Sequence, residues 1–326
     1  MKHLSGLFIA LIITGSVISS CGTQKKPVDQ DSFPYESFEI MRGTNIAHWL
    51  SQSQRRGSER ETFFTEKDVK FIDSCGFDHI RLPIDEEQMW DESGKRNEDA
   101  FTLMKNCLDW CQKAGLRVII DLHILRSHHF NEEVKPLWTD PAEQDQFIAL
   151  WKDLSDFLKD RPLGMVAYEP MNEPVADDPE EWNVLLARVV TAIRQWEPQR
   201  VIVIGSNRWQ SATTFDELRV PANDTNIILS YHFYEPFFLT HYQAAWTDLK
   251  DFTGQVNYPG QIVLNSNLPE HLRVYNRDTL VKMMEKPLRA ARTLNLPLYC
   301  GEFGIFRDFF PEAKLAWYKD MTSIFE

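Results

Sequence analysis

The sequence predicts an α/β fold, a TIM (β/α)8 barrel, from three observations. Short β-branched runs alternate with helical segments through the body of the chain, the pattern of parallel strands joined by right-handed crossovers. A length of 326 residues is long for one domain by the usual prior, yet barrels of this class reach it without splitting. No glycine-rich phosphate loop follows the first strand, as a nucleotide-binding open sheet would require.

The first twenty residues stand outside that fold. Lys2 and His3 precede an apolar core from Leu7 to Val17 and then small residues, the pattern of a cleaved secretory signal rather than a spanning helix. Ile18-Ser19-Ser20-Cys21-Gly22 resembles the lipobox of bacterial lipoproteins, which implies a lipidated Cys21 as the mature N-terminus; an ordinary signal with a chance cysteine is the other reading. The expected organisation is a signal peptide over 1–20, a polar tether over 21–34 and one domain over 35–326, exported and lipid-anchored to a bacterial membrane.

Within the domain, Met41 to Ile46 reads as the first strand. Thr65 to Asp68 then offers an N-cap with Phe64 placed to staple onto Val69, and Gly76 stops that helix. His79 to Ile84 is the second strand, a helix over Glu98 to Ala114 ends at Gly115, and Leu116 to His123 is the third strand. The same start signal follows twice: Asp140-Pro141 with Glu143, and Asp178-Pro179 with Glu181, each an acidic cap, a proline at the first helical position and a carboxylate two residues on. The fourth strand, carrying Glu173, lies between those helices, which run to about Leu158 and Trp196. Val201 to Gly205, Ile227 to Tyr234 and Leu298 to Glu302 complete seven strands, and a helix from about Pro311 runs to Phe325. Pro287 should kink or break the helix expected over Asp278 to Leu294, and the long connection from Glu235 to Asn276 reads as a cleft wall. An eighth strand after Glu302 is not legible, so the chain reads as a barrel truncated at its C-terminal end, with open edges on its first and seventh strands.

Composition narrows the function. A formal net charge of −13 and the lack of clustered Lys and Arg disfavour nucleic acid. Aromatic residues at 12%, with 10 Trp, suit both a core and the apolar faces of sugars. Cys107 and Cys111 are four apart in a helix, where a bridge is strained, so they and Cys75 and Cys300 read as free thiols. His128-His129 lacks a carboxylate at ligand spacing, and neither a metal nor an organic cofactor is expected.

Chemistry concentrates at two strand ends. Ala167 to Pro174 (Ala-Tyr-Glu-Pro-Met-Asn-Glu-Pro) and Leu298 to Gly304 (Leu-Tyr-Cys-Gly-Glu-Phe-Gly) each carry an apolar run onto a glutamate, Glu173 and Glu302. Glu173 alone reads equally as a turn acid before a helix; the second glutamate suggests a catalytic pair, because barrel sites form at the C-terminal strand ends.

Five short motifs in order, each placed on a strand of the reading above, carry a family resemblance: Ile80-Arg81-Leu82-Pro83, Leu122-His123, Asn172-Glu173-Pro174, Tyr231-His232-Phe233-Tyr234 and Gly301-Glu302-Phe303-Gly304. Together they resemble glycoside hydrolase family 5, the cellulase family, from about Arg42 to Gly304. The resemblance implies retaining hydrolysis of β-glycosidic bonds, with Glu173 as acid/base and Glu302 as nucleophile. By the same match Arg81 would bond Glu302 and favour its anion, Asn172 the sugar 2-hydroxyl, and Tyr234 the nucleophile or the ring oxygen, with His123 and His232 lining the site; each histidine reads otherwise as a satisfied core residue. Trp209 is a candidate sugar platform or a core ring, and Trp138 and Trp246 are weaker versions of the same guess. Two departures stand out: Ile124 follows His123 where the family has a second histidine, a contact that His128 or His129 could replace, and the eighth-strand tryptophan of the family has no counterpart.

The leading expectation is a monomeric endo-acting β-glucanase on polysaccharide, touching membrane only through its lipid. An exo-β-glucosidase or a mannan or xyloglucan hydrolase shares the mechanism; Arg42-Gly43-Thr44-Asn45 and His48-Trp49-Leu50 resemble exo-glucanases. A non-catalytic glycan-binding surface lipoprotein is the reading from another class.

Overall fold

The computed structural model describes residues 33–264, 268–269 and 272–326. The expected signal peptide, Cys21 and nearly all of the tether lie outside the described residues. The described strands are β1 (Gly43–Asn45), β2 (His79–Asp85), β3 (Arg117–Ile124), β4 (Val166–Glu169), β5 (Ile202–Gly205), β6 (Ile227–His232), β7 (Gly260–Gln261), β8 (Val274–Tyr275) and β9 (Leu298–Glu302). β7 and β8 form a small antiparallel pair inside the long connection after β6. The other strands make one parallel sheet in the order β1-β2-β3-β4-β5-β6-β9.

That sheet curls until its ends meet through side chains. Asn45 Nδ2 of β1 donates to the carbonyl of Gly301 in β9 at 3.0 Å. The fold is a nearly closed (β/α) barrel with seven strands among the described residues. The two end strands are the least buried of the seven: no residue of β1 and only Gly301 of β9 is fully covered.

Strand parity divides the core in two. Val118, Ile120, Val166, Tyr168, Ile202, Ile204 and Leu229 point outward and pack with Leu150, Trp151, Leu154, Leu186 and Val189 of the helices. Ile119, Ala167, Val203 and Ile228 point inward and close the lumen with Phe38 beneath the polar layer. A strand buried on both faces reads as one continuous apolar run, which is why these segments were legible. Pro83 sits inside β2 where odd-numbered residues face β1; β1 has ended at Asn45, so no ladder bond is lost.

Helix signals act as expected. Asp68 accepts the Thr65 N–H at 2.8 Å ahead of Glu66–Ser74, Asp140 caps Pro141–Leu158, and Asp178 with Glu181 boxes Pro179–Trp196. The segment with Pro287 is two helices, Arg277–Met283 and Glu285–Leu294; Met284 breaks them, and Pro287 falls in a first turn, where a missing N–H costs nothing.

One boundary differs in a way that matters. β4 ends at Glu169, so Glu173 lies four residues past the strand, beyond Pro170. Likewise β6 stops at His232, two residues before Tyr234.

Candidate active site

One loop and one ladder irregularity bring the glutamates together. Beyond β4, the Asn172 N–H donates to the Leu122 carbonyl at 3.2 Å, pinning that loop to β3. Glu173 then adopts φ 43°, a left-handed conformation that a non-glycine residue holds only where its surroundings impose it. Across the barrel, the β6–β9 ladder skips a residue, so Tyr231 faces Cys300 but His232 faces Glu302. The skipped position is Gly301, where a Cβ would lie 2.8 Å from Ser230 Oγ and 3.2 Å from His232 Nε2. That missing side chain lets His232 and Glu302 share the lumen.

His232 Nδ1 stands 2.8 Å from Glu173 Oε1 and 3.7 Å from Glu302 Oε2. One oxygen of each carboxyl and a His232 nitrogen lie within 4.8 Å of one another. This separation suits the retaining arrangement, about 5 to 5.5 Å between carboxyl groups, and not the roughly 6.5 to 9.5 Å that an inverting enzyme leaves for water.

Below the pair, Arg81 is a fully buried hub. Its Nε donates to Glu169 at 2.6 Å, Nη2 donates to Asn172 Oδ1 at 2.9 Å and is ion-paired with Asp121 at 3.0 Å, and Nη1 donates to Asn45 Oδ1 at 3.1 Å and Glu302 Oε1 at 2.7 Å. A guanidinium cannot release its proton, so it stays a cation among three carboxylates. His123 Nδ1 meets Asp121 at 2.7 Å, and its Nε2 meets the amide of Gln52 at 3.2 Å.

The environment separates the two acids. Burial pushes the Glu173 carboxyl up and the Glu302 charge adds to this, while the His232 bond pulls back without cancelling the rise. Burial works on Glu302 too, but His232, Arg81, His123 and the Tyr234 hydroxyl outweigh it and hold Glu302 at about 2. Tyr234 donates to Glu302 Oε2 at 2.8 Å and keeps its proton, since burial and both glutamates raise its pKa. The arrangement is a carboxyl biased toward its proton beside one held ionised, which equips a site to protonate a leaving group and attack from the other side.

The residues singled out from sequence separate into three kinds. Glu173, Glu302, His232 and Tyr234 converge as expected, and Asn172 joins them with its buried Nδ2 unpartnered. Arg81 bonds Glu302 as expected, and with no exposed surface it acts through that carboxylate and does not reach a sugar itself. His128 corrects the idea of a replacement sugar contact, because it is buried, accepts the Val175 N–H at 3.1 Å and is kept neutral by burial, at about 3. Trp138 is likewise a brace, donating to the Val175 carbonyl at 2.8 Å and packing on Trp182. Trp209 is 45% exposed, and its N–H donates to the Pro174 carbonyl at 3.3 Å, next to Glu173. Arg208, Trp209 and Gln210 all have φ between 51° and 62°, a left-handed run that turns Gln210 inward to Glu169 at 3.1 Å. Gly205 makes room there, since a Cβ would meet Gln210 Cγ at 2.6 Å.

Sequence reasoning missed Asp121, Glu169, Gln210 and Gln52. Strand parity could have found the first two: Asp121 shares a face with His123, and Glu169 ends an apolar strand one register step away, paired with Asp121. Among the described residues no helix is long and apolar enough to cross a membrane.

Comparison with known proteins adds an independent line. Residues 33–321 match the family model described as cellulase (glycosyl hydrolase family 5). The chain is 33% identical to endoglucanase C of Acetivibrio thermocellus, with 87% of each chain covered, and 28% identical to cellodextrinase A of Ruminococcus flavefaciens, covering 88% and 82%. Its fold is similar to the crystal structure of endoglucanase Cel5A from Thermotoga maritima, with TM-score 0.71, 26% identity and 87% of each chain covered. A further structure of that Thermotoga protein, at 25% identity and TM-score 0.71 over 87% and 85% of the chains, is a complex with mannotriose.

Proposed function

The chain belongs to glycosyl hydrolase family 5, the cellulase family, and from that premise we propose that it is an endo-acting β-glucanase in which Glu173 is the acid/base and Glu302 the nucleophile. It is a retaining glycoside hydrolase. In the first step Glu302 attacks the anomeric carbon while protonated Glu173 gives its proton to the departing glycosidic oxygen. The covalent glycosyl-enzyme forms and the leaving sugar departs as an alcohol. Glu173, now ionised, takes a proton from water as that water displaces Glu302, which restores both groups. Tyr234 and Arg81 stabilise the Glu302 anion before attack and after release, and Asn172 Nδ2 is left to bond the sugar beside it.

The observation that carries this assignment is the pair itself, two carboxyls on His232 with opposite pKa shifts. The experiment is anomeric NMR of products from a β-1,4-glucan, run together with product sizing. A β product released first and a fall in chain length from internal cuts fit the proposal; an α product would sink the assignment of roles, and release of single terminal units would sink the endo reading. Mannan is the second backbone to test, because the Thermotoga relative binds mannotriose. Anchoring through Cys21 belongs to the same proposal, and Cys21→Ser should move the exported protein from the membrane fraction to the soluble one.

A further inference from the structure

Outside the barrel wall, a groove of about 590 Å³ lies between the helix Gly57–Glu61, the start of the helix Glu66–Ser74 and one flank of the helix Glu98–Ala114. That volume is in the range of small-molecule sites. Arg60 lines it and is only 3% exposed. The Trp49 indole N–H holds the Arg60 carbonyl at 2.8 Å, and Arg60 Nη1 donates to Gln88 Oε1 at 3.0 Å. Gln88 is fully buried and donates in turn to the Ser53 carbonyl at 2.7 Å, so the guanidinium is held in place. Its Nε and Nη2 have no hydrogen-bond partner among the described residues, and no carboxylate there pairs with it.

A buried cation is costly unless something pairs with it. Arg81 meets three carboxylates and Arg200 meets Glu197, whereas Arg60 meets none. Burial and the Arg56 charge lower its pKa, and the exposed acids Asp99 and Glu61 offset this only in part. Along the same groove, Thr102, Asn106 and Trp110 are spaced four apart on Glu98–Ala114, so they share one face over about 12 Å. Trp110 is half-buried, and the Thr102 hydroxyl, the Asn106 amide and the Trp110 indole N–H have no hydrogen-bond partner among the described residues.

We propose that this groove binds a hexuronosyl unit of an acidic glycan, with its carboxylate on Arg60 and the sugar along Asn106 and Trp110. The Nε and Nη2 left open form one edge of the guanidinium, the edge that grips a carboxylate through two parallel bonds. Amide, hydroxyl and indole in a row beside it suit the hydroxyls and C–H surface of a pyranose. A phosphate or sulfate cluster fits less well, because Glu61 and Asp99 flank the groove; Glu66 is taken up by Lys70 at 3.1 Å. The groove is formed by the helices around the barrel and the glutamates lie at its strand ends, so the site is separate from the cleft and does not depend on the β-glucan reading.

The test is calorimetry at low salt with cellobiouronic acid and its neutral twin cellobiose, on the full chain carrying Glu302→Gln so that neither is turned over. The acid is expected to bind about 10-fold tighter than cellobiose, the worth of one charge-assisted pair, and Arg60→Gln to bring that ratio to about one. Trp110→Ala should weaken binding of the acid by about 5-fold, and in a chain with Glu302 intact it should leave turnover of β-1,4-glucan unchanged. Arg60 also braces Gln88, so if Arg60→Gln does not fold the Trp110→Ala result decides. Equal affinity for the acid and cellobiose overturns the proposal. A preference for the acid that survives undiminished in both variants also overturns it, since the acid is then bound elsewhere. Acetate that displaces the acid at equal concentration overturns the sugar class, because a bare carboxylate is then all the groove recognises.

Discussion

Arg81 Nη1 donates to Glu302 Oε1 at 2.7 Å from a side chain with no solvent exposure. The same guanidinium is bonded to Glu169 and Asp121, so the position of Glu302 is fixed by charges that water cannot replace. In the nucleophile's role proposed for it, a carboxylate so held needs little reorganisation when the sugar arrives.

Glu302→Gln should abolish turnover while leaving binding measurable. Glu173→Ala should lower kcat on natural substrates by roughly 10²- to 10⁴-fold, the usual worth of a positioned acid/base. On substrates with activated leaving groups, azide should restore its turnover and yield a β-glycosyl azide. A β-glycosyl azide from the Glu302 variant instead would exchange the two roles, whereas an α-glycosyl azide from it would agree with Glu302 as the nucleophile.

The pH profile follows from the split in pKa. As pH rises through the raised pKa of Glu173 the proton donor is lost, so the alkaline limb of kcat/KM belongs to Glu173. Glu302 loses its charge only as pH falls toward about 2, so the acid limb should lie well below the ordinary carboxyl range. Tyr234→Phe removes a bond to the Glu302 anion; the acid limb should move upward, with about a 10- to 100-fold loss in kcat. A profile in which the acid limb stays put in Tyr234→Phe would contradict the coupling.

Glu169→Ala strips a carboxylate from buried Arg81 and should cost about 3 to 5 kcal/mol in urea unfolding. Glu169→Gln keeps an acceptor for the Arg81 Nε and should cost less. Equal losses for the two variants would mean that packing, and not the charge, is what Glu169 contributes.

The left-handed run beside Glu173 is a place where strain can be relieved. Arg208 has φ 58° and an exposed side chain, so Arg208→Gly should raise stability by about 0.5 to 1 kcal/mol, less than the strain itself because glycine also loosens the unfolded chain. A loss of stability would show that the Arg208 bond to the Asp177 carbonyl outweighs the strain.

Much of this architecture was legible because it is written locally. Helix caps such as Asp178 with Glu181 act within one turn, and buried parallel strands such as Val201 to Gly205 need apolar residues on both faces, so their sequence alone marks them. Glu173 and Glu302 could be chosen because each ends an apolar run at the side of the barrel where sites form.

What was misjudged depended on neighbours far along the chain. His128 and Trp138 read as candidate sugar contacts, yet both are bonded to the Val175 backbone, and although the bond from Arg81 to Glu302 was expected, its enclosure by Asp121, Glu169 and Asn172 was not. Glu173 was placed on a strand because nothing local separates a ladder residue from one held four positions beyond it by Leu122.

The sequence by itself determined the barrel, its order of elements and the two acids, since strand and helix signals and apolar runs are properties of neighbouring residues. Only the tertiary structure decided which acid is biased toward its proton and which toward its charge. Glu173 and Glu302 are the same side chain, and their difference comes from Arg81, His123, His232 and Tyr234, drawn from three other strand ends and acting through a few ångströms of low-dielectric space.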